Sequence, residues 1–211
     1  MKILLFSPHA DDAEIGMCGT ILKLVKEGAN VKLLTAIIPC EELDGTSSSD
    51  FKGKRFSEQE KTAEALGIDL QILDLNPYEF KFDRVNIKHF DEIVRQYSPN
   101  AIYSCFSHDT HQDHMTISKI VEIVARKNTS SFYMYENMIP GGIPSQPFNP
   151  QYFVDISDFC HSKFEILNTY ISVFSDKPKL IDTVMARSRY RGGQIGVENA
   201  ETFQVIKQID Y

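Results

Sequence analysis

Lys2-Ile3-Leu4-Leu5-Phe6-Ser7-Pro8-His9-Ala10-Asp11-Asp12 runs from an uninterrupted apolar segment straight into a polar turn. A short apolar run of this kind is expected of a strand buried on both faces, as in a parallel sheet covered by helices. Gly16–Lys26 then carries Ile21, Leu22, Leu24 and Val25 at helical spacing, and Gly28 stops it. The same alternation recurs downstream. Val31–Ile38 reads as a strand ended by Pro39, Phe56–Leu66 as a helix stopped by Gly67, and Leu70–Leu75 as a strand closed by Asn76-Pro77. Asp83–Tyr97 reads as a helix, Ala101–Phe106 as a strand, Thr116–Lys127 as a helix and Phe132–Tyr135 as a strand. Strand and helix in turn predict an α/β fold: a Rossmann-like, mainly parallel sheet with helices on both faces.

Two stretches depart from the pattern. Glu41–Lys54, with Gly45 and Ser47-Ser48-Ser49, reads as a mobile loop. Residues 139–150 hold Pro140, Gly141, Gly142, Pro144, Pro147 and Pro150 and read as an irregular loop. Beyond it, Tyr152–Ile156 is expected as a late strand, with helical segments near His161–Tyr170 and Leu180–Tyr190. There is no internal repeat and no second-domain boundary, so residues 1–211 read as one domain.

Composition mainly excludes. Apolar residues make up 42% and charged residues 24%, which suits a folded globular chain. Lys and Arg total 22 against 29 Asp and Glu, a formal charge of −7 with no basic block, so general nucleic-acid binding is not expected. No apolar run reaches the roughly 20 residues of a membrane span. The first residues turn polar too soon for a signal peptide, and the scattered cysteines (Cys18, Cys40, Cys105, Cys160) read as reduced thiols of a cytoplasmic protein.

Two polar clusters carry the chemistry. Pro8-His9-Ala10-Asp11-Asp12 follows the first strand; His108-Asp109-Thr110-His111-Gln112-Asp113-His114 follows the fourth. In a doubly wound sheet of Rossmann order those two strands are neighbours at the switch point, and ligands bind in the crevice at their C-terminal ends. Each cluster alone has an ordinary explanation: an acidic pair favours a helix start, and His-x-x-His can be a polar surface turn. Their coincidence at one crevice points to a metal. His9, Asp12 and His114 supply the three mixed nitrogen and oxygen ligands of a catalytic zinc, which leaves one position open. Asp11 then stands beside the ion as general base. His111, one helical turn before His114, is placed to stabilise an oxyanion or protonate a leaving group as an imidazolium. Asp113 is expected to hold His111 or His114 in its tautomer.

Pro8-His9-Ala10-Asp11-Asp12-Ala13-Glu14-Ile15-Gly16 resembles the HPDDE-type motif of the PIG-L/LmbE-like N-deacetylases, and Thr110-His111-Gln112-Asp113-His114 resembles their His-x-Asp-His motif. Gly19-Thr20, Arg55 with Glu58, Ala63 through Gly67, and Gly196-Val197…Ala200-Glu201…Phe203 are similar to further family segments, so the likeness covers most of the chain. Ala10 replaces a Pro, Ala13 a Glu, Gln112 a Pro and Asn199 a Tyr; none of these is a ligand position, though the last weakens a substrate role there. The resemblance implies one Zn²⁺ per chain held by His9, Asp12 and His114. It makes Asp11 the base, His111 the electrostatic or acid catalyst with Asp113 its partner, and Arg55 a substrate-binding residue. The implied reaction removes the N-acetyl group of an N-acetylglucosamine-type sugar or conjugate, releasing acetate and a free amine.

A phosphoesterase at the same crevice is the first rival, although such enzymes more often use two metals with more carboxylates than this cluster offers. A non-catalytic sugar-binding protein is the second. Arg189, Arg191 and Gly192-Gly193 read either as an anion-binding turn or as a solvated basic helix end. The sequence leaves open which N-acetyl sugar is used and whether the chain forms a homo-oligomer.

Overall fold

A computed structural model describes residues 1–39, 49–138, 144, 146–174 and 178–210. The strands are β1 (Lys2–Ser7), β2 (Asn30–Thr35), β3 (Asp69–Ile72), β4 (Ala101–Cys105), β5 (Ser131–Tyr135), β6 (Tyr152–Asp155) and β7 (Ala200–Lys207). They form one sheet in the order β3-β2-β1-β4-β5-β7-β6. β1 pairs in parallel with β2 and β4, β2 with β3, and β4 with β5, while β7 runs antiparallel between β5 and β6. The fold is therefore α/β with a mostly parallel sheet, and the order reverses between β1 and β4. Ile3, Leu4, Leu5 and Phe6 are all fully buried, because both faces of a central parallel strand are covered.

The helices are α1 (Asp12–Lys26), α2 (Ser49–Leu66), α3 (Arg84–Tyr97), α4 (Gln112–Lys127), α5 (Cys160–Leu167), α6 (Ile171–Phe174) and α7 (Pro178–Ile195). Several boundaries differ from the sequence reading. Residues 49–54, expected in a loop, form the first turns of α2, with Asp50 in the acidic first turn; residues 41–48 lie outside those described. α1 starts at Asp12 and α4 at Gln112, so both polar clusters feed directly into helix N-termini. Pro140, Gly141 and Gly142 lie outside the described residues, and residues 146–150 have no regular structure. β7 was not anticipated. α7 continues to Ile195, so Arg191, Gly192 and Gly193 form no anion-binding turn; Arg191 instead pairs with Glu136 at 2.5 Å.

α1 bends at Met17 (φ −149°, ψ 24°), and side chains satisfy the groups the bend frees. Glu201 of β7 accepts the backbone N–H groups of Gly19 (3.0 Å) and Thr20 (2.7 Å) and the Thr20 hydroxyl (2.6 Å). Lys163 of α5 and Arg187 of α7 each donate to the Ile15 carbonyl at 3.0 Å. Lys163 also pairs with Glu201 at 2.7 Å, with both side chains buried. Gly16 lies so close to Tyr135 that a Cβ there would stand 2.3 Å from the ring. The C-terminal segment thus braces the helix that begins with Asp12. No helix among the described residues is long and apolar enough to cross a membrane.

Candidate metal centre

β1 ends at Ser7 and β4 at Cys105, on either side of the reversal, so the two His/Asp clusters meet at one end of the sheet. The Ser7 hydroxyl accepts from the Ala13 N–H at 3.1 Å and donates to the His9 carbonyl at 2.6 Å, closing the turn that carries His9 to Asp12. Three side-chain atoms converge there. His9 Nδ1 and Asp12 Oδ2 are 3.2 Å apart, Asp12 Oδ2 and His114 Nε2 3.2 Å, and His114 Nε2 and His9 Nδ1 3.3 Å. Tetrahedral ligands ~2.0–2.1 Å from an ion stand ~3.3 Å from each other, so the triangle has the size of one face of a zinc site.

The outer partners of the two imidazoles show which way their lone pairs point. His9 Nε2 lies 3.0 Å from Asp113 Oδ2, and His114 Nδ1 lies 2.6 Å from Asp109 Oδ2. An ionised carboxylate only accepts, so each outer nitrogen carries the proton, and in the neutral ring the inner nitrogen has a free lone pair. Two lone pairs and a carboxylate oxygen then face one another, an arrangement that calls for a cation. The same electrostatics act on each group. Burial works against a charge on His114, but Asp12 and Asp109 outweigh it and push the ring up to about 10. Burial also opposes ionisation of Asp12, yet His114 and His9 hold it well below the usual carboxylate range. The donor set fits a borderline metal.

Asp11 stands beside this triangle in a backbone conformation (φ 121°, ψ −30°) that L-residues rarely adopt. Such strain, typically ~1–3 kcal/mol, persists only where the surroundings enforce it. Here Arg55 enforces it. Its Nη2 donates to the Ala10 carbonyl and lies 3.3 Å from Asp11 Oδ2. Arg55 is only 3% exposed and its guanidinium sits over the Tyr170 ring at 5.6 Å, while its Nε and Nη1 have no hydrogen-bond partner among the described residues. Arg55, expected at the substrate, thus supports the Asp11 turn from below. Burial pushes Asp11 up to about 6, with Arg55 the largest opposing influence.

His111 borders the centre. Its ring centroid is 4.8 Å from that of His9 and 4.8 Å from that of His114, and its side chain is half exposed. Its Nδ1 accepts the Asp113 backbone N–H at 3.2 Å, which makes His111 the N-cap of α4. Burial and the neighbouring His9 and His114 hold it below its usual value. A ring that accepts at Nδ1 is the neutral Nε2–H form, so the imidazolium expected from the sequence is disfavoured. Asp113 also has a different main partner from the one expected: its Oδ2 is 3.0 Å from His9 but 3.9 Å from His111. Asp109 was passed over in the sequence, although its place in the cluster ahead of His114 was the available signal.

The family model described as PIG-L, GlcNAc-PI de-N-acetylase, matches residues 4–125, a span that includes every group of this centre. The chain belongs to the PIG-L family. A diacetylchitobiose deacetylase of Thermococcus kodakarensis is 27% identical over 192 residues, covering 83% of this chain and 71% of that one. The PIG-L architecture also superposes on an inhibitor complex of the N,N'-diacetylchitobiose deacetylase from Pyrococcus horikoshii, with a TM-score of 0.84 and 23% identity over 98% of this chain and 84% of that one. A 4-carboxy-2-hydroxymuconate hydratase from Pseudomonas putida shares the fold as well, with a TM-score of 0.80 and 18% identity over 100% of this chain and 98% of that one.

Proposed function

We propose that this chain is a zinc-dependent N-deacetylase that removes the acetyl group from an N-acetylglucosamine-type sugar or conjugate. The observation that carries the reading is the triangle of His9 Nδ1, Asp12 Oδ2 and His114 Nε2 with Asp11 beside it. The fold alone does not choose the reaction, since a hydratase shares it. Family membership and the deacetylase relatives support amide hydrolysis.

A zinc ion held by His9, Asp12 and His114 would polarise the amide carbonyl and acidify water. The protein's own groups do the rest. Asp11 takes a proton from the attacking water; a carboxylate near 6 is ionised at neutral pH yet basic enough to accept it. Having taken that proton, Asp11 is an acid and returns it to the departing amine. His111, neutral with its proton on Nε2, donates a hydrogen bond to the oxyanion as the carbonyl becomes tetrahedral. A neutral donor at a helix N-terminus needs no separate protonation at neutral pH. Asp113 and Asp109 keep the rings of His9 and His114 turned inward, and Arg55 keeps Asp11 in its strained turn.

The test is acetate release from a panel of N-acetylglucosamine conjugates (free disaccharide, nucleotide-linked, lipid-linked and thiol-linked), with zinc added and after chelation. The reading requires acetate and free amine in equal amounts from at least one conjugate, lost on chelation and restored by zinc. Phosphate release from a phosphorylated analogue, or sugar binding without acetate in zinc-loaded protein, would overturn it.

A further inference from the structure

We propose that Asn137 is a positioning residue for the metal centre, holding His114 in place through Asp109. The proposal rests on the reading of His9, Asp12 and His114 as metal ligands. Asn137 lies just beyond β5, next to the segment that leaves β4, and touches none of the three ligands among the contacts observed.

Every hydrogen-bonding group of its side chain has a partner. Oδ1 accepts the Phe106 N–H at 3.0 Å, and Nδ2 donates to the Phe106 carbonyl at 3.0 Å and to Asp109 Oδ2 at 2.6 Å. The first two bonds resemble a strand pair and would serve any well-folded loop. The third has a different consequence. Asp109 Oδ2 receives both Asn137 Nδ2 and His114 Nδ1 at 2.6 Å, while Asp109 Oδ1 receives the backbone N–H groups of Thr110 (2.6 Å) and His111 (3.0 Å). A carboxylate has about four acceptor positions, and all are filled, so Asp109 cannot rotate away from the imidazole. Among the described residues, Asn137 supplies the one partner that comes from outside the continuous segment running from β4 into α4. It also ties Asp109 to the neighbouring strand.

Asn137 is itself anchored. Its carbonyl accepts Arg187 Nη1 at 2.7 Å, and Arg187 Nη2 reaches the Ile15 carbonyl at the bend of α1. A chain of named contacts thus runs from α7 through Asn137 and Asp109 to His114. Only an amide of this length meets Phe106 on both sides and still has an N–H to give to Asp109; a carboxylate would face Asp109 with a like charge, and alanine would leave it with three partners.

The experiment measures zinc affinity by competition with a fluorescent chelator, so no substrate is involved. Outer partners of a metal-bound histidine typically contribute ~10–100-fold in affinity. Asp109→Ala is expected to weaken binding by ~10–100-fold, and Asn137→Ala by about 10-fold, with the cobalt-loaded protein's visible absorption altered in both. The deciding readout is the double variant. Acting through Asp109, Asn137→Ala adds little to Asp109→Ala; a purely structural role makes the two losses multiply. Unchanged affinity in Asn137→Ala, or multiplying losses, overturns the proposal. Asn137→Ser, whose hydroxyl is too short to span to Asp109, replaces Asn137→Ala if circular dichroism shows the alanine variant unfolded. His114→Ala is the separate check on the underlying reading: if it leaves zinc affinity intact, the ligand assignment fails, whatever Asn137 does.

Discussion

Replacing Arg55 by Met separates two roles this residue can have. Arg55 Nη2 stands 3.3 Å from Asp11 Oδ2 in a buried site where Asp11 is raised to about 6. Burial causes the rise and Arg55 is the main influence restraining it. An opposite charge at this range lowers a carboxyl by ~1–3 units, so its loss raises Asp11 by that much. A base must be ionised to act, so the acidic limb of kcat/KM moves up by ~1–3 pH units, and at a given pH on that limb activity falls by ~10–1000-fold. The loss is one of protonation and therefore reverses at higher pH, with kcat/KM climbing back toward wild type near pH 9–10. A bound dication lowers Asp11 in both enzymes, so the readout is the displacement of the acidic limb rather than its absolute position. The assay is kcat/KM for acetate release across pH 5–10. Arg55→Lys, which keeps a cation, should move the limb less. A kcat/KM that falls evenly at every pH, with the limb unmoved, refutes the reasoning and returns Arg55 to the substrate.

Three further outcomes follow from the same geometry. Glu201→Ala removes three acceptor bonds to the bent helix α1 and leaves the buried Lys163 without its anion; urea denaturation should show a loss of ~3–5 kcal/mol, and a loss under ~1 kcal/mol would show that the C-terminal strand does not brace α1. Gly16→Ala, which would stabilise an open helix, should instead cost ~1–3 kcal/mol in a thermal melt, because the added carbon meets the fully buried Tyr135 ring. Glu14, fully buried with the Tyr170 hydroxyl bound to its carboxyl, is raised by burial from 4.5 to about 7. A raised carboxyl favours the folded state below its unfolded value and loses that contribution as pH climbs through about 7, a change of ~3 kcal/mol at ~1.4 kcal/mol per unit. Glu14→Gln should therefore gain on wild type by that amount between pH 4 and pH 9 in chelator-treated protein; a difference independent of pH contradicts the burial account.

The sheet was legible where apolar runs ended in punctuation. β1 to β5 follow from runs such as Ile3–Phe6 and from the glycines and prolines between them, whereas the reversal between β1 and β4 is an assumption of Rossmann order that the sheet bears out. The Rossmann order then brought clusters distant in sequence to one place. β7 is hidden in the sequence because Glu201 and Thr202 interrupt its apolar pattern; once folded, Glu201 finds its partners on α1 and α5, and Thr202 donates to Glu136. The start of α2 was hidden by a serine-rich run and Gly53, residues that mark loops until tertiary packing decides otherwise.

The chemistry divides in the same way. The residue types and spacing of His9, Asp12 and His114 suffice to nominate a ligand triangle. The residues behind them cannot be assigned from spacing. Asp113 lies two positions from His111 yet serves His9 from the other cluster, and Asp109 and Asn137 gain their significance only when β4 and β5 lie side by side. Arg55 is expected at the substrate from the resemblance alone; only the fold shows it buried within α2 with its guanidinium against the Asp11 turn.

Asp11→Asn tests the account most directly, because it changes one proton acceptor and none of the three ligands. The measurement pairs zinc content per chain with the rate of acetate release from the best N-acetylglucosamine conjugate. The account predicts one zinc per chain in wild type and variant alike, with acetate release reduced by ~10²–10⁴-fold in the variant. Full zinc content with undiminished acetate release would contradict it, since Asp11 could not then be the base.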